Sequence, residues 1–282
     1  MKELFQTIQG SYESLSQAQR VVADYIVHHY KNIPFQSVTE LADTIGVSDT
    51  TIIRYCMQLG FKGYGDFKKA ISEYVQSHSN WYDHLERSLE EIESQDSYTK
   101  AYNQELNNLK TTVASPLNRA SYQKLLEMLN QAENIYVMGF RTSAIAAQFM
   151  SLGLGQQGYR SCVLAPGAGD YQEVIFRMTP KDLLISFCFS RYAKEGIRII
   201  QRAVEMGVPH VTFTDSQLSP SASMADAVFT CSVHSYITTP ALTGVFALID
   251  AILTGCAQYS PKKVKEHMRS MEQFLMDGGF YY

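Results

Sequence analysis

Two groups of residues in this chain have the types and spacing to do chemistry, and in both the chemistry is recognition of anions. The first lies within Ser37 to Gly60, SVTELADTIGVSDTTIIRYCMQLG. Advancing roughly 100° per residue on a helix, Ile52, Tyr55, Cys56 and Leu59 share one side and leave Thr50, Thr51, Arg54, Met57 and Gln58 on the other. Hydroxyls, an amide and a guanidinium on one outward side suit the base edges and phosphates of a DNA major groove. The Arg54 fork can pair with both acceptors of a guanine, worth about 1–3 kcal/mol of discrimination, or make a plain phosphate contact. The second group is Gly139-Phe140-Arg141-Thr142-Ser143 together with Ser190-Arg191-Tyr192-Ala193-Lys194-Glu195. Gly139 turns the chain sharply, Arg141 is a fixed positive charge, and Thr142 and Ser143 are hydroxyl donors at a helix start. Ser190, Arg191 and Lys194 add donors and charge before another helix, so the parts of an anion site are present. Plainer roles stand beside these: Ser143 as an N-cap, and Arg191 paired with Glu195 four residues on.

The elements that must hold the first group are legible. Ser37 and Glu40 form an S-x-x-E capping box that starts a helix carrying Leu41, Ala42 and Ile45 on one face. Gly46 stops it by accepting the left-handed conformation, and Val47 is an apolar plug in the turn. Ser48 can cap the second helix, with Asp49 in its positive first turn. A supporting helix, Ser16 to Tyr30, has its own S-x-x-Q cap and an apolar stripe of Val21, Val22, Tyr25 and Ile26. Any helical hairpin in a bundle can show the two-helix pattern, so the flanks matter. Lys62, Lys68 and Lys69 follow the second helix, where a DNA backbone would run. Residues 1–80 hold 7 Lys+Arg against 8 Asp+Glu, so DNA binding is expected to rest on this local patch and on a dimer rather than on a basic field.

From Asn134 onward short apolar strands alternate with helices: Ile135–Met138, Cys162–Leu164, Leu183–Phe187, Val211–Thr214 and Val228–Val233, with Thr142–Leu154 the first helix between them. The pattern predicts an α/β chain overall, an all-α helix-turn-helix domain followed by a flavodoxin-like three-layer α/β/α domain on a five-stranded parallel sheet. Ligands of such sheets bind at the carboxyl ends of the strands. The loops Gly139–Ser143, Phe189–Glu195 and Asp215–Ser219 are therefore the ones to inspect. The expected domains are residues 1–78, a helical linker over 79–130, and 131–282. The linker is polar, with Leu85, Leu89, Ile92, Leu106 and Leu109 at helical spacing, a break at Pro116, and Trp81 and Tyr82 as packing residues.

The run from Leu15 to Ile71, ending in GFKGYGDFK, resembles the N-terminal domain of the RpiR family of bacterial transcriptional regulators. The resemblance implies that the second helix of the motif enters the major groove. It places Ser48, Thr50, Thr51 and Arg54 near bases or phosphates and Lys62 near the backbone, and Gln58 shares their outward face. The second half, through VMGFRTSAIAA, FSRYAKEGIRIIQRA and TFTDSQLSPSASMADAVF, is similar to the sugar isomerase (SIS) domain over about Gln131 to Tyr259. That likeness implies a small phosphorylated sugar or related anion as effector, with Ser143 as a phosphate ligand and Arg141 beside it. Gly139, Thr142, Ser190, Arg191 and Glu195 complete the expected effector site. Phosphosugar-binding SIS loops have the form S-x-S-G-x-T-x-E, and here Cys188 and Ala193 stand where two of the hydroxyls would be. Arg191 can compensate through a bidentate contact, or the anion is of another kind, or the site has turned to a structural role.

Composition narrows the function classes. The chain has 282 residues, 45% of them apolar, and a net charge of −4, which argues against nonspecific coating of nucleic acid or anionic membrane. Its five cysteines, Cys56, Cys162, Cys188, Cys231 and Cys256, form no CxxC pair and read as reduced core residues, so no metal or other cofactor is expected. Met1 to Gly10 has no apolar h-region, and the apolar run Ala241–Ala257 carries Asp250 in its middle. A cytoplasmic protein without a membrane span is expected. The favoured reading is a homodimeric or tetrameric regulator of double-stranded operator DNA, modulated by a small-molecule effector and without catalytic residues. The alternative is a sugar-phosphate isomerase or lyase with a helical extension, for which Glu195 and His234 are the base candidates.

Overall fold

The computed structural model describes residues 15–30, 32–78, 85–86, 88–89, 96–164, 171–217, 219–237 and 239–280. Trp81, Tyr82 and Ile92 lie outside them. The chain divides into two units, Met1–Glu90 and Glu91–Tyr282.

In the first unit α1 (Gln17–His29) is followed by a short 3-10 turn (Ile33–Phe35), α2 (Val38–Ile45), α3 (Asp49–Gln58) and α4 (Tyr64–His78). Both expected capping boxes form, Ser16 with Gln19 and Ser37 with Glu40. The hydrogen bonds that Glu40 accepts from Ser37 hold its carboxyl below the usual carboxylate range. Gly46 ends α2 at φ +79°, the left-handed conformation a β-carbon would strain. Val22, Ile26, Leu41, Ile52, Tyr55, Cys56, Phe67 and Ile71 make one buried core. α3 therefore buries the face predicted for it and turns the other face to solvent.

The second unit opens with α5 (Ser97–Ala114) and α6 (Pro116–Gln131), separated at Ser115 because Pro116 pre-sets the first turn of the next helix. There follow β1 (Ile135–Gly139), α7 (Ser143–Gln156), β2 (Ser161–Leu164), α8 (Tyr171–Arg177), β3 (Leu183–Cys188), α9 (Lys194–Glu205), β4 (His210–Thr214), a 3-10 turn (Ala222–Met224), β5 (Ala227–Thr230), α10 (Thr243–Tyr259) and α11 (Pro261–Asp277). The five strands are all parallel in the order β2-β1-β3-β4-β5, the flavodoxin-like arrangement. One sheet face is covered by α6, α7 and α10 around Ile185, Phe213 and Phe229, the other by α8 and α9 around Leu184 and Ile200. Phe187, Phe213 and Phe229 stack across three neighbouring strands at 4.6 and 4.7 Å between ring centroids.

The edge of the sheet at β5 explains the polar composition of residues 97–131. An edge strand exposes backbone groups that need partners, and side chains of α5 and α6 supply them. Ser121 Oγ donates to the Val228 carbonyl at 2.7 Å and Lys124 Nζ to the Asp226 carbonyl at 2.6 Å. Asn118 accepts from the Thr230 N–H at 2.7 Å and donates to its carbonyl at 2.8 Å. Beyond the strand, the Ser232 N–H donates to Thr112 Oγ1 and Asn108 Nδ2 to the His234 carbonyl, at 2.9 and 2.7 Å. β5 ends at Thr230 rather than Val233: the Cys231 N–H still donates to the Thr214 carbonyl of β4 at 2.8 Å, but from Ser232 on the backbone bonds to α5 side chains.

Of the five cysteines Cys162 is exposed, a departure from the core role expected of all of them; the other four are buried, and all are free thiols. No helix among the described residues is long and apolar enough to cross a membrane.

Candidate functional site

The outward face of α3 is assembled as its sequence requires. Thr50, Arg54, Met57 and Gln58 are exposed and Thr51 is half-buried, over a floor of Ile52, Tyr55 and Cys56 with no exposed surface. Ser48 caps the helix: its Oγ accepts from the Thr51 N–H at 3.3 Å and lies 2.9 Å from Thr51 Oγ1. The angle of the hairpin is held by Thr39, whose hydroxyl donates to Asp49 Oδ2 at 2.8 Å. Gln58 is steadied by Gln19, whose amide donates to Gln58 Oε1 at 2.9 Å. Lys62 is exposed beyond the helix, its backbone N–H donating to Asp66 Oδ2 at 3.1 Å. Lys68 is a correction to the expected basic edge: its ammonium donates to the buried Gln36 carbonyl at 2.8 Å, which also accepts from Tyr64 at 3.0 Å. Two donors of α4 thus share one carbonyl and tie that helix to the turn before α2.

In the second unit the three loops at the carboxyl end of the sheet leave it side by side, because Gly139 pairs with Phe187 and Cys188 with Thr214 in the strand register. Gly139 ends β1 where a β-carbon would overlap the carbonyl oxygen of Ser143. Arg141, exposed, follows at φ +57°, the one non-glycine residue described with positive φ. Thr142 takes the N-cap position of α7 without a side-chain capping hydrogen bond, and Ser143 lies in the first turn, so neither hydroxyl fills the capping role considered for Ser143. Ser143 is only 7% exposed, and among the described residues no hydrogen bond engages its hydroxyl. At α9, a β-carbon on Gly196 would stand 3.1 Å from the Phe140 ring, so the start of that helix packs on the first loop.

The second loop is built around groups the sequence did not single out. Ser190 is exposed, and its backbone N–H donates to both carboxylate oxygens of Asp215 at 3.3 Å. Tyr192 donates its hydroxyl to Asp215 Oδ1 at 2.9 Å. Burial raises the Asp215 carboxyl above the ordinary range, against the opposing pull of those hydrogen bonds, and pushes the Tyr192 phenol up as well. Arg191 and Glu195 are exposed, and Glu195 accepts a hydrogen bond from the Tyr171 hydroxyl of α8. Cys188 is buried, and burial pushes its thiol up to about 12, so it is a neutral, weak donor at pH 7. Beneath the loop runs a chain of buried polar groups, with Ser186 Oγ 2.9 Å from both His210 Nε2 and Thr212 Oγ1, and Thr212 bonded to Ser221 at 3.0 Å. The only advance signal of this support was that Asp215–Ser219 leaves a strand end; nothing in the sequence marked Tyr171, Tyr192 or Asp215 as partners.

Comparison with known proteins agrees with both halves. A family model for the helix-turn-helix domain of the rpiR family matches residues 2–78, and one for the SIS domain matches residues 128–255. The chain is 23% identical over 287 residues to the HTH-type transcriptional regulator HexR of Escherichia coli, covering 98% of this chain and 96% of that one. Among solved structures it resembles the Vibrio vulnificus NanR protein complexed with ManNAc-6P, at TM-score 0.66 and 23% identity, over 97% of this chain and 98% of that one. The sugar isomerase domain of an RpiR transcription factor from Sphaerobacter thermophilus matches at TM-score 0.60 and 25% identity, over 64% of this chain and 99% of the other. With the reading-helix domain and the SIS domain both matched, in that order along one chain, the protein belongs to the RpiR family of helix-turn-helix transcriptional regulators.

Proposed function

We propose that this chain is a DNA-binding transcriptional regulator whose operator affinity is set by a small anion, a phosphorylated sugar or a chemical relative, bound at the carboxyl end of the SIS sheet. The observation that carries the effector half is Ser143: a residue only 7% exposed, at the start of a 14-residue helix, whose hydroxyl has no hydrogen-bond partner among the described residues. Helix N-termini favour anions, and an unused hydroxyl there suits a ligand oxygen. Arg141, Thr142, Ser190, Arg191 and Glu195 line the neighbouring loops, with Gly139 permitting the approach. That the Vibrio vulnificus protein is described in complex with ManNAc-6P supports the phosphosugar class.

The DNA half rests on Ser48, Thr50, Thr51, Arg54 and Gln58 of the reading helix and on Lys62 beside it. A homodimer or tetramer presents two such helices about one helical turn apart to a palindromic operator. The effector shifts that arrangement by its difference in affinity for the two states. Its relatives are named as transcriptional regulators, which supports a cytoplasmic binding protein over an isomerase.

The test is a thermal-shift screen of sugar phosphates and sugar acids on the full chain, followed by operator binding with and without each hit. A hit is expected to lose its shift in both Ser143→Ala and Arg141→Ala. A shift untouched by both substitutions places the effector elsewhere, and turnover of the hit would make the protein an enzyme.

A further inference from the structure

The effector site contains a carboxylate of its own. Asp215 leaves the end of β4 and takes the Ser190 N–H and the Tyr192 hydroxyl, two donors of the 189–193 loop that leads into α9. No cation forms an ion pair with it among the described residues. A half-buried carboxylate without a cation is costly to maintain, and here it accepts from donors a ligand anion would use. Among the described residues Oδ2 accepts from the Ser190 N–H alone, at 3.3 Å, whereas Oδ1 also takes Tyr192 and Thr214.

We propose that Asp215 is the specificity-determining residue of the effector site: a resident carboxylate that occupies the donors of the 189–193 loop and keeps a phosphate out of it. This rests on the effector reading above and sharpens it. The anionic group of the effector goes to Arg141 and Ser143, while the 189–193 loop receives a part of the ligand that brings a hydroxyl or ammonium hydrogen to Oδ2. A phosphate in this loop would have to displace Asp215 from Ser190 and Tyr192 or lie beside a like charge. Cys188 and Ala193 agree with this, since neither supplies the strong donor that a phosphate cradle needs.

The experiment is calorimetric titration of the full chain with inorganic phosphate. Asp215→Asn keeps an acceptor oxygen for Tyr192 and Ser190 but removes the charge, and it is expected to bind phosphate at least about tenfold more tightly than the unmodified chain. Asp215→Ser gives the same reading should the asparagine variant fail to fold. Tyr192→Phe, which leaves the carboxylate in place, is expected to bind phosphate no more tightly. Unchanged or weaker binding in both Asp215 variants overturns the proposal. If Arg141→Ala and Ser143→Ala still weaken binding in that case, the effector site itself stands; if phosphate binding ignores all of these substitutions, the site is wrong as well.

Discussion

Gly139 and Ser143 are so close that the second residue forbids a side chain on the first. A β-carbon on Gly139 would overlap the Ser143 carbonyl oxygen and stand 3.0 Å from the Ala144 nitrogen. These are backbone atoms in the first turn of α7, and they cannot rotate away. Gly139→Ala must therefore push α7 off the end of β1. An overpacked site of this kind costs about 1–3 kcal/mol, so a lower urea midpoint is expected, together with loss of any effector-induced thermal shift. An alanine variant with the original midpoint would mean that the β1–α7 turn is looser than described.

Asn118 predicts a larger loss from a residue nowhere near a ligand. It is 4% exposed, donates to the Thr112 carbonyl at 2.9 Å and bonds both backbone groups of Thr230. Asn118→Ala leaves these buried groups unpaired, at about 1–3 kcal/mol for each. Since some admit water, a total of about 2–4 kcal/mol is expected in chemical denaturation. Gln123→Ala on the exposed side of the same helix is expected to stay within about 0.5 kcal/mol.

The contrast between these residues shows what was legible in advance. The hairpin of α2 and α3 could be read because its caps and apolar period are local, and Gly46 and Ser48 sit where the chain chemistry requires. The strands could be read because β3 and β4 are buried on both faces and so appear as short apolar runs. Asn108, Thr112, Asn118 and Ser121 misled: polar residues at helical spacing look like a solvated face, and only the fold shows the edge of β5 opposite them. Asp215 and Tyr192 were illegible for a similar reason, being 23 residues apart and joined only by the parallel pairing of β3 and β4. Residues that titrate or bond across strands leave no period in the sequence.

On the reading helix, exposure separates function from stability. Arg54 is exposed, so Arg54→Ala is expected to leave the urea midpoint within about 0.5 kcal/mol of the original. Specific operator binding should fall by about 1–3 kcal/mol, with discrimination relaxed at one base pair. Lys62→Ala should weaken binding about equally on all sequences and lower the salt slope by roughly one unit. Anisotropy titrations at several salt concentrations distinguish the two. A uniform loss for Arg54→Ala would make it a phosphate contact.

His210 makes stability depend on pH in a definite direction. Its ring is wholly buried, with Nδ1 3.0 Å from the Met224 carbonyl oxygen and Nε2 2.9 Å from the Ser186 hydroxyl. Burial disfavours the imidazolium and holds its pKa down at about 4, against 6.5 for a free histidine. Between those values the unfolded chain binds a proton that the folded protein refuses. The stabilisation is therefore complete above pH 6.5 and is lost as pH falls toward 4, on the order of 3 kcal/mol in all. His210→Gln removes the titrating group while leaving an amide to face Ser186 and Met224. Urea midpoints at pH 7 and pH 4.5 are expected to converge in the glutamine variant relative to the unmodified chain. An equal loss in both proteins would place the acid sensitivity elsewhere, in carboxylates such as those at the strand ends, and would mean that the buried chain from His210 to Ser221 tolerates the extra proton.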